Sequence, residues 1–319
     1  MLRFLLRRVL FGIVVLWLVT VVVFVIFFLA PHDPARLIAG RMATPSTVAA
    51  IRRNLGLDRP VYVQYGSFVW GLLHGNLGYS YYRDQPVTQL LLSRLPVTAS
   101  LAIGAALLWL LIGVGVGVLA AVRPRSLEDR AATAFALLFY SMPPFLLGLV
   151  LLYLLFFRLH LAGVTFFAGG GYVPLSQDPL GWAQHLLLPW ITLALVTSVT
   201  YIRLTRGAML DVLGEDYIRT ARSKGISELR VIIVHALRSA LTPVVTQFGV
   251  DLATLLGGAI VTEQVFGLPG LGQLSVQSVT NQDLPVIIGT VILFAFFIVV
   301  ANILVDILYA LIDPRVRLS

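Results

Sequence analysis

The sequence contains no cysteine, a single lysine, and few charged residues of either sign. Charged side chains make up 12% of the 319 residues, whereas apolar ones make up 58%. A soluble domain carries about a quarter charged residues, which its surface needs in order to face water. The lack of cysteine excludes a disulfide framework and a thiolate metal site. The composition therefore predicts a protein for which the lipid bilayer is part of the solvent.

Six apolar stretches are long enough to cross a bilayer as helices, because about 20 helical residues span its core of about 30 Å. They are Val9–Ala30, Val97–Val122, Ala131–Phe157, Leu186–Ile202, Thr242–Thr262 and Leu284–Val305. The first is longer than the apolar core of a signal peptide, so we interpret it as a retained membrane helix. Ser-Met-Pro-Pro at 141–144 should break the third, since proline removes a backbone donor. The predicted fold is all-α, with six transmembrane helices.

The basic residues are concentrated in alternate connections between these stretches. Two short connections, roughly 161–185 and 263–283, contain none. Cytoplasmic loops carry an excess of lysine and arginine, so both termini are predicted to be cytoplasmic. The long segment 31–96 is predicted to be external, because long segments cross largely regardless of charge. The basic residues on the predicted cytoplasmic side are Arg3, Arg7, Arg8, Arg123, Arg125, Arg130, Arg203, Arg206, Arg219, Arg222, Lys224, Arg230, Arg238, Arg315 and Arg317.

Three regions follow from this topology. Residues 1–30 form the cytoplasmic start and first membrane helix, 31–96 an external helical subdomain, and 97–319 a five-helix core that includes a cytoplasmic loop, 207–241. In the external region, Thr44-Pro45 and Asp58-Arg59-Pro60 are typical of helix starts. Gly113 and Gly117 form a small-residue pair that predicts close helix packing. Orientation in the membrane accounts for the basic residues, so no nucleic-acid partner is expected.

The long cytoplasmic connection Arg203–Leu241 has the pattern of a surface helix followed by a turn. Helix is predicted up to Lys224, a break at Gly225, and helix again over Glu228–Leu237. Such a helix can dock into a groove of another protein or lie on anionic lipid, and the composition leaves both open. The residues of its apolar stripe and adjacent basic face are Ile218, Ala221, Ile226, Arg219, Arg222 and Lys224.

Four stretches of the sequence resemble one known family. Tyr217–Gly225 reads YIRTARSKG and is followed by HALRSAL at 235–241 and by Pro243. This resembles the EAA loop of ABC importer permeases, in particular the dipeptide/oligopeptide branch. Arg219 and Thr220 depart from the general Glu-Ala-Ala pattern and fit the peptide branch. The other stretches that resemble this branch are NLGLDRPVYVQYGSFVWGLLHGNLGYSY in the external segment, EQVFGLPGLGQL at 263–274 and VDILYALIDPRVR at 305–317.

The resemblance implies the membrane subunit of an ATP-driven importer of short peptides in the bacterial cytoplasmic membrane. Its expected partners are a second, homologous permease in a heterodimer, two cytoplasmic ABC ATPase subunits, an external substrate-binding protein and membrane lipid. The ATPase-coupling residues that it implies are Glu215, Asp216, Tyr217, Ile218, Arg219, Thr220, Ala221, Arg222, Lys224 and Gly225. A nickel-type importer shares these motifs, so dipeptide, oligopeptide, nickel and glutathione-like cargo all stay open.

No enzymatic activity and no cofactor are expected in this subunit. A Walker A loop needs Gly-Lys followed by Ser or Thr, whereas Lys224 follows Ser223 and precedes Gly225. ATP and Mg²⁺ are therefore expected in the ATPase partners. No metal site is expected either, because the histidines are scattered. GLPGLG at 267–272 follows a membrane span, not a strand, which predicts a turn at the outer surface rather than a nucleotide loop. The resemblance assigns an external gate motif to Glu263, Gly267, Pro269, Gly270 and Gly272.

Asp251 lies near the middle of the predicted fifth span. A charged side chain in lipid costs about 2.5–3.5 kcal/mol on insertion scales, so the carboxylate is expected to face the bundle interior. It could meet a cationic group of the substrate in the translocation path, or pair with another helix, and Asp306 is interpreted as structural. A secondary transporter that uses Asp251 and Asp306 is the alternative from another class, although it would need no docking loop.

Overall fold

The computed structural model describes residues 2–29, 35–36, 44–54, 56–256 and 259–312, and the protein is all-α. Among these residues the strands are two short antiparallel partners, Tyr79–Ser80 (β1) and Gln85–Pro86 (β2). Within the described residues three helices contain π-helical stretches, which are Val25–Leu29 in α1, Leu152–Arg158 in α6 and Val231–Ala236 in α9. In chain order the helices are α1 (Leu2–Phe24, then Val25–Leu29), α2 (Pro45–Asn54), α3 (Val61–Leu73), α4 (Val87–Val122), α5 (Leu127–Tyr140), α6 (Pro144–Leu151, then Leu152–Arg158 and Leu159–Leu161), α7 (Pro179–Leu213), α8 (Asp216–Ser223), α9 (Glu228–Arg230, then Val231–Ala236 and Leu237–Leu256), α10 (Ile260–Val265), α11 (Leu271–Thr280) and α12 (Leu284–Ile312).

Six helices of the described chain are long and apolar enough to cross a membrane, which confirms the predicted number. The crossing segments are Leu6–Leu29, Val87–Val122, Pro144–Leu161, Pro179–Leu213, Glu228–Leu252 and Leu284–Ile307. The shortest has 18 residues and so extends about 27 Å, close to the thickness of the bilayer core. Ala30, the predicted end of the first span, lies outside the described residues, as do Arg315 and Arg317.

The third predicted span, Ala131–Phe157, is wrong as a single crossing helix. α5 ends at Tyr140 and α6 begins at Pro144, so the crossing segment is Pro144–Leu161. The break lies where Ser-Met-Pro-Pro predicts it. A residue that precedes a proline is pushed out of the helical region, and Pro143 has an extended ψ of 138°. Pro144 then takes the first position of α6, where the missing N–H costs no hydrogen bond.

The fifth span also differs from the predicted Thr242–Thr262. α9 begins at Glu228 and ends at Leu256, while Thr262 belongs to the separate helix α10. In the sequence, Arg230 and Arg238 indicate a connection before this helix, but both are exposed on its surface, so the helix continues past them. The fourth span is likewise longer than predicted, because the apolar stretch Leu186–Ile202 is the central part of α7, which has 35 residues.

Helices α4 and α7 form the centre of the bundle and approach closely at two glycines. A Cβ on Gly117 would lie 2.7 Å from Cβ of Thr205 and 2.9 Å from the Ile202 carbonyl oxygen, and Gly113 faces Tyr201 in the same way. The close packing predicted from this glycine pair is confirmed. The side chains of the surrounding core that are at most 1% exposed include Leu101, Trp109, Leu186, Tyr201, Phe266 and Leu268.

Helices α2 and α3 begin where the sequence predicts. Oγ1 of Thr44 accepts a hydrogen bond from the Thr47 N–H at 3.3 Å, which caps α2, and α3 follows Pro60. α3 packs against α1, where the hydroxyls of Tyr65 and Thr20 are 2.9 Å apart. The segment between α1 and α4 is thus attached to the first membrane helix by side-chain contacts.

Candidate functional site

The segment to which the family resemblance assigns ATPase coupling, residues 215–225, is a short helix that ends in a glycine turn. We call it the α8 segment. Glu215 has an extended backbone just before α8, and Asp216 in the first turn suits the positive end of the helix dipole. Gly225 follows the helix with φ of +75°, a conformation that glycine adopts without a steric penalty. The predicted order of helix, glycine and second helix is confirmed.

The two faces of α8 have different environments. Ile218 is 0% exposed and Ala221 is 8% exposed, and both belong to a buried cluster that includes Met209 of α7 and Val231 of α9. The predicted apolar stripe is therefore used to attach α8 to its own chain. The residues on the opposite, exposed face are Tyr217, Arg219, Thr220, Arg222, Ser223 and Lys224. Only this polar face is free to meet another molecule.

Ion pairs hold the exposed face in place. Arg222 donates two hydrogen bonds to the Glu228 carboxylate, from Nε at 3.1 Å and from Nη2 at 2.6 Å. This bidentate pair links α8 to the start of α9 across the Gly225 turn. Arg219 contacts Asp216 at 3.4 Å within α8, a weaker pair in which both side chains are well exposed. The turn is thus closed by one bidentate ion pair, between Arg222 and Glu228, that remains in contact with solvent.

A second ion pair lies at the same end of the bundle and connects α5 to α7. Arg206 donates to both carboxylate oxygens of Asp129, from Nε at 2.6 Å and from Nη2 at 2.9 Å, and the Arg125 N–H donates to the same carboxylate at 2.9 Å. The hydrogen bonds from Arg206, followed by that of Arg125, lower the pKa of Asp129 to about 2. This pair therefore keeps its charges over the physiological pH range.

The predicted gate motif forms a packed turn at the opposite ends of α4 and α7. We call residues 263–272 the glycine turn. Glu263 is 0% exposed, and its Oε1 accepts a hydrogen bond from the Thr98 hydroxyl at 2.7 Å. Its Oε2 accepts from the Gln273 N–H at 2.8 Å, and Thr98 Oγ1 accepts from the Leu271 N–H at 2.8 Å. One carboxylate therefore joins α10, the start of α11 and α4.

The glycines of this turn leave room for the buried carboxylate. A Cβ on Gly270 would overlap the carboxylate of Glu263, and one on Gly272 would lie 2.9 Å from Cα of Ile260. Gly267 has φ of +59°, and the Pro269 carbonyl accepts a hydrogen bond from Arg94 Nη1 at 3.2 Å. Burial raises the pKa of Glu263, against the opposing effect of its hydrogen bonds. The turn is thus filled by its own side chains rather than open at the surface.

Asp251 points toward α7, not toward lipid. The Tyr201 hydroxyl donates to Oδ2 at 2.8 Å and Gln247 Nε2 donates to Oδ1 at 3.0 Å, and the aspartate is half-buried. Tyr201 is fully buried beside Trp109. Asp251 lies within the crossing helix α9, which is described as far as Leu256, and its depth in the membrane stays a prediction. The pairing with another helix that the sequence left open is present, and substrate contact stays a prediction.

Asp306, the second acid that the sequence analysis considers in a membrane helix, is also paired. Asp306 of α12 lies 3.1 Å from Nε of Arg8 in α1, so this contact joins the first and last membrane helices. Within the described ranges, no group of three or more histidine, aspartate or glutamate side chains is placed to hold a metal ion.

Two family models match the chain and together cover nearly all of it. Residues 1–102 match the N-terminal part of the membrane component of binding-protein-dependent transport systems, and residues 113–318 match the inner membrane component itself. The chain belongs to this family. It is a transport permease, an integral protein of the inner membrane. Both the α8 segment and the glycine turn lie in the second matched region.

Curated relatives resemble the permease over almost their full length. A putative peptide transport system permease protein of Brucella abortus is 46% identical over 312 residues, which are 98% of each chain. The dipeptide transport system permease protein DppB of Escherichia coli K12 is 39% identical over an alignment of 336 positions, which covers 99% of each chain. The permease also shares its fold with a chain of the MetNI methionine ABC transporter, crystallised in an inward-facing conformation. That likeness has a TM-score of 0.55 and 21% identity, over 70% of the permease and 97% of that chain.

The sequence did not identify the Asp129–Arg206 pair as part of the site. One signal was present, since Ser126 followed by Asp129 three residues later is the pattern of a helix cap, and the Asp129 N–H does bond Oγ of Ser126 at 3.3 Å. By its position in the sequence, Arg206 is predicted only to be a cytoplasmic charge. The permease instead uses it inside α7 to fix the start of α5, which lies 77 positions away in the sequence.

Proposed function

We propose that the permease is the membrane subunit of an ATP-driven importer of short peptides. Two observations support the cargo. The Brucella relative is named for peptide transport and the Escherichia relative for dipeptide transport, and both align with the permease over nearly their whole length. Uptake of a labelled dipeptide, with Ni²⁺ as the competing candidate, by the complex reconstituted with its binding protein tests the cargo directly.

The proposal of ATP coupling is based on the exposed face of α8. Its apolar stripe is buried against α7 and α9, so a push on the polar face moves these two membrane helices with it. A short helix mounted in this way is suited to dock in a groove of a partner. ATP and Mg²⁺ would bind in the two ATPase partners and not in this subunit. Closure of the ATPases would then move the docked helices and alternate the access of a central path.

The remaining partners follow from this placement. The α8 segment and both termini would be cytoplasmic, in agreement with the basic residues of that side. The glycine turn would lie at the external end, where a substrate-binding protein delivers cargo. A second, homologous permease would complete the path as a heterodimer. The family name supports the binding-protein part of this assembly.

Valine at Gly225 tests the coupling surface. Gly225 has φ of +75° and open space around its Cβ position, so the change strains the turn without a clash. We expect the Gly225→Val permease to insert normally but to lose co-purification of the ATPase subunits, or ATP-driven transport. Gly75→Val is the matched control, because Gly75 has φ of +73°, equally open surroundings, and a position in the segment between α3 and β1.

The control distinguishes coupling from general strain. Gly75→Val should keep the ATPase subunits attached. Normal assembly and transport by Gly225→Val would exclude the α8 segment as the coupling surface. Equal loss in both variants would assign the effect to folding.

Asp251 is proposed to contribute a negative charge to the path. It is half-buried, and two hydrogen bonds leave part of the accepting capacity of the carboxylate unused. A peptide amine that loses hydration in the path would be stabilised there. Asp251→Asn removes the charge but keeps the size. Transport of free-amine peptides should then fall more than transport of N-acetylated peptides, with ATPase activity kept, and an equal effect on both substrates would make Asp251 purely structural.

A further inference from the structure

A groove on the surface of the bundle, unrelated to the α8 segment and the glycine turn, runs between α5 and α7. Its volume is about 400 Å³. Ala136, Val199 and Gly207 form its floor, and the first two of these are buried. No side-chain or distant backbone atom lies within 4 Å of the Cβ position of Gly207, so the groove is open there. The small residues create space that the permease itself leaves unfilled.

The groove changes from polar to apolar along its length. Arg203, Arg206 and Gly207 lie toward the α8 end of α7, while Val199 lies deeper in the crossing segment. On the opposite wall, Leu137 and Tyr140 of α5 are 65% and 70% exposed. An occupant that matches this arrangement has a polar head at the α8 end and an apolar tail that covers the two exposed side chains. A water-soluble anion would leave that apolar wall uncovered.

The charge at the polar end selects an anionic head. Arg203 is exposed, and its guanidinium has no ion pair or hydrogen bond with any described residue. Arg206 uses Nε and Nη2 on Asp129, which leaves Nη1 as a further donor. None of the described residues that line the groove is acidic. By helical spacing, Arg130 lies on the same face of α5 as Leu137, one turn beyond Thr133 toward the α8 end, and it is also exposed.

We propose that this groove binds one anionic phospholipid, with the headgroup phosphate at Arg203 and Nη1 of Arg206 and an acyl chain along Val199, Leu137 and Tyr140. Basic pockets between membrane helices are suited to such headgroups, and arginine donors match the geometry of phosphate oxygens. The site depends on neither the transported cargo nor the ATPase partners. It is therefore separable from the proposed importer function.

The test is the retention of phosphatidylglycerol, compared with phosphatidylcholine, by the purified full-length permease with its subunits, measured by native mass spectrometry. We expect the wild type to retain phosphatidylglycerol preferentially. Arg203→Gln should weaken retention about fivefold, the change expected from the loss of one basic residue at an anionic surface. Arg203→Lys should keep most of it. Gly207→Leu should also reduce retention, because it fills the groove without a change of charge.

Two controls separate a lipid site in the groove from diffuse surface charge and from a groove covered by protein. Arg238→Gln removes another exposed arginine, from α9, and should leave retention unchanged. Size-exclusion profiles show whether each variant folds. If Arg203→Gln does not fold, Gly207→Leu and Arg203→Lys still test the site. Equal loss in Arg238→Gln would show only diffuse surface charge and overturn the proposal. Unchanged retention in both Arg203→Gln and Gly207→Leu would also overturn the proposal. If Gly207→Leu lost subunit association while the lipid stayed bound, the groove would be covered by protein, and the proposal would again be overturned.

Discussion

The glycine turn and the α8 segment both combine acidic side chains with glycine, yet they use them in opposite ways. Glu263 in the turn is fully buried and held by uncharged donors from Thr98 and Gln273. Asp216 and Glu228 beside α8 are exposed and paired with arginines. A buried carboxylate with fixed partners makes one end of the bundle rigid. Exposed pairs at the other end leave a polar surface that a partner can reach.

The glycines of the two regions differ for the same reason. Gly270 has φ of −94°, which any residue adopts, but its Cβ would overlap Glu263. Gly225 has free space around it, but its φ of +75° disfavours other residues. Glycine is therefore required by packing in the turn and by backbone conformation in the α8 segment. This difference predicts that a larger residue lowers stability more in the glycine turn than in the α8 segment.

The largest loss of stability is expected for Gly270→Val. The added side chain must displace a carboxylate that is fixed by hydrogen bonds, and overpacking of this kind costs about 1–3 kcal/mol of unfolding free energy. Thermal unfolding of the purified permease in detergent measures it, with Gly225→Val as the comparison. The contrast between the two regions would fail if Gly270→Val unfolded at the wild-type temperature, or if Gly225→Val were the less stable of the two.

A smaller and pH-dependent effect is expected at Glu263. Burial raises the folded-state pKa of Glu263. Its favourable contribution to the free energy of unfolding is therefore complete at pH values below the unfolded-state pKa, and it is lost as the pH rises through the folded-state pKa. Glu263→Gln does not titrate. The stability of the wild type relative to this variant should therefore fall as the pH is raised from the acid side. Unfolding midpoints of both proteins over a pH series give the slope, and a difference that does not vary with pH would contradict the prediction.

The smallest effect, with the opposite sign, is expected at Asp129. Arg206 lowers the folded-state pKa of Asp129 from 3.8 to about 2. The contribution of this ion pair to the free energy of unfolding is therefore present above the unfolded-state pKa and is lost as the pH falls toward about 2. Solvent screens the pair, since the Arg206 side chain is 34% exposed. The stability difference between wild type and Asp129→Asn should shrink on acidification below about pH 4. A difference that grows on acidification would argue against the ion pair.

Local patterns predicted two of the breaks between helices well. Proline at 143–144 predicted the break between α5 and α6, and Gly225 predicted the end of α8, because these residues act through their own backbone. Helix ends without such residues were placed less well. The helix predicted to begin at Glu228 does not stop at Leu237 but continues through Thr242 into the fifth span, because arginines on an exposed helix face do not interrupt backbone hydrogen bonds.

The sequence by itself determined the membrane class, the six crossing helices, the helix and turn around Gly225, and the family resemblance, because these follow from composition, length and residues close together in the chain. Only the tertiary structure decided which atoms meet across long separations. Thr98 and Glu263 are 165 positions apart, and Asp129 and Arg206 are 77 apart. It also decided that the apolar stripe of α8 lies against its own bundle. Apolar periodicity gives the buried face of a helix but not the surface that covers it, since that depends on how all the helices pack together.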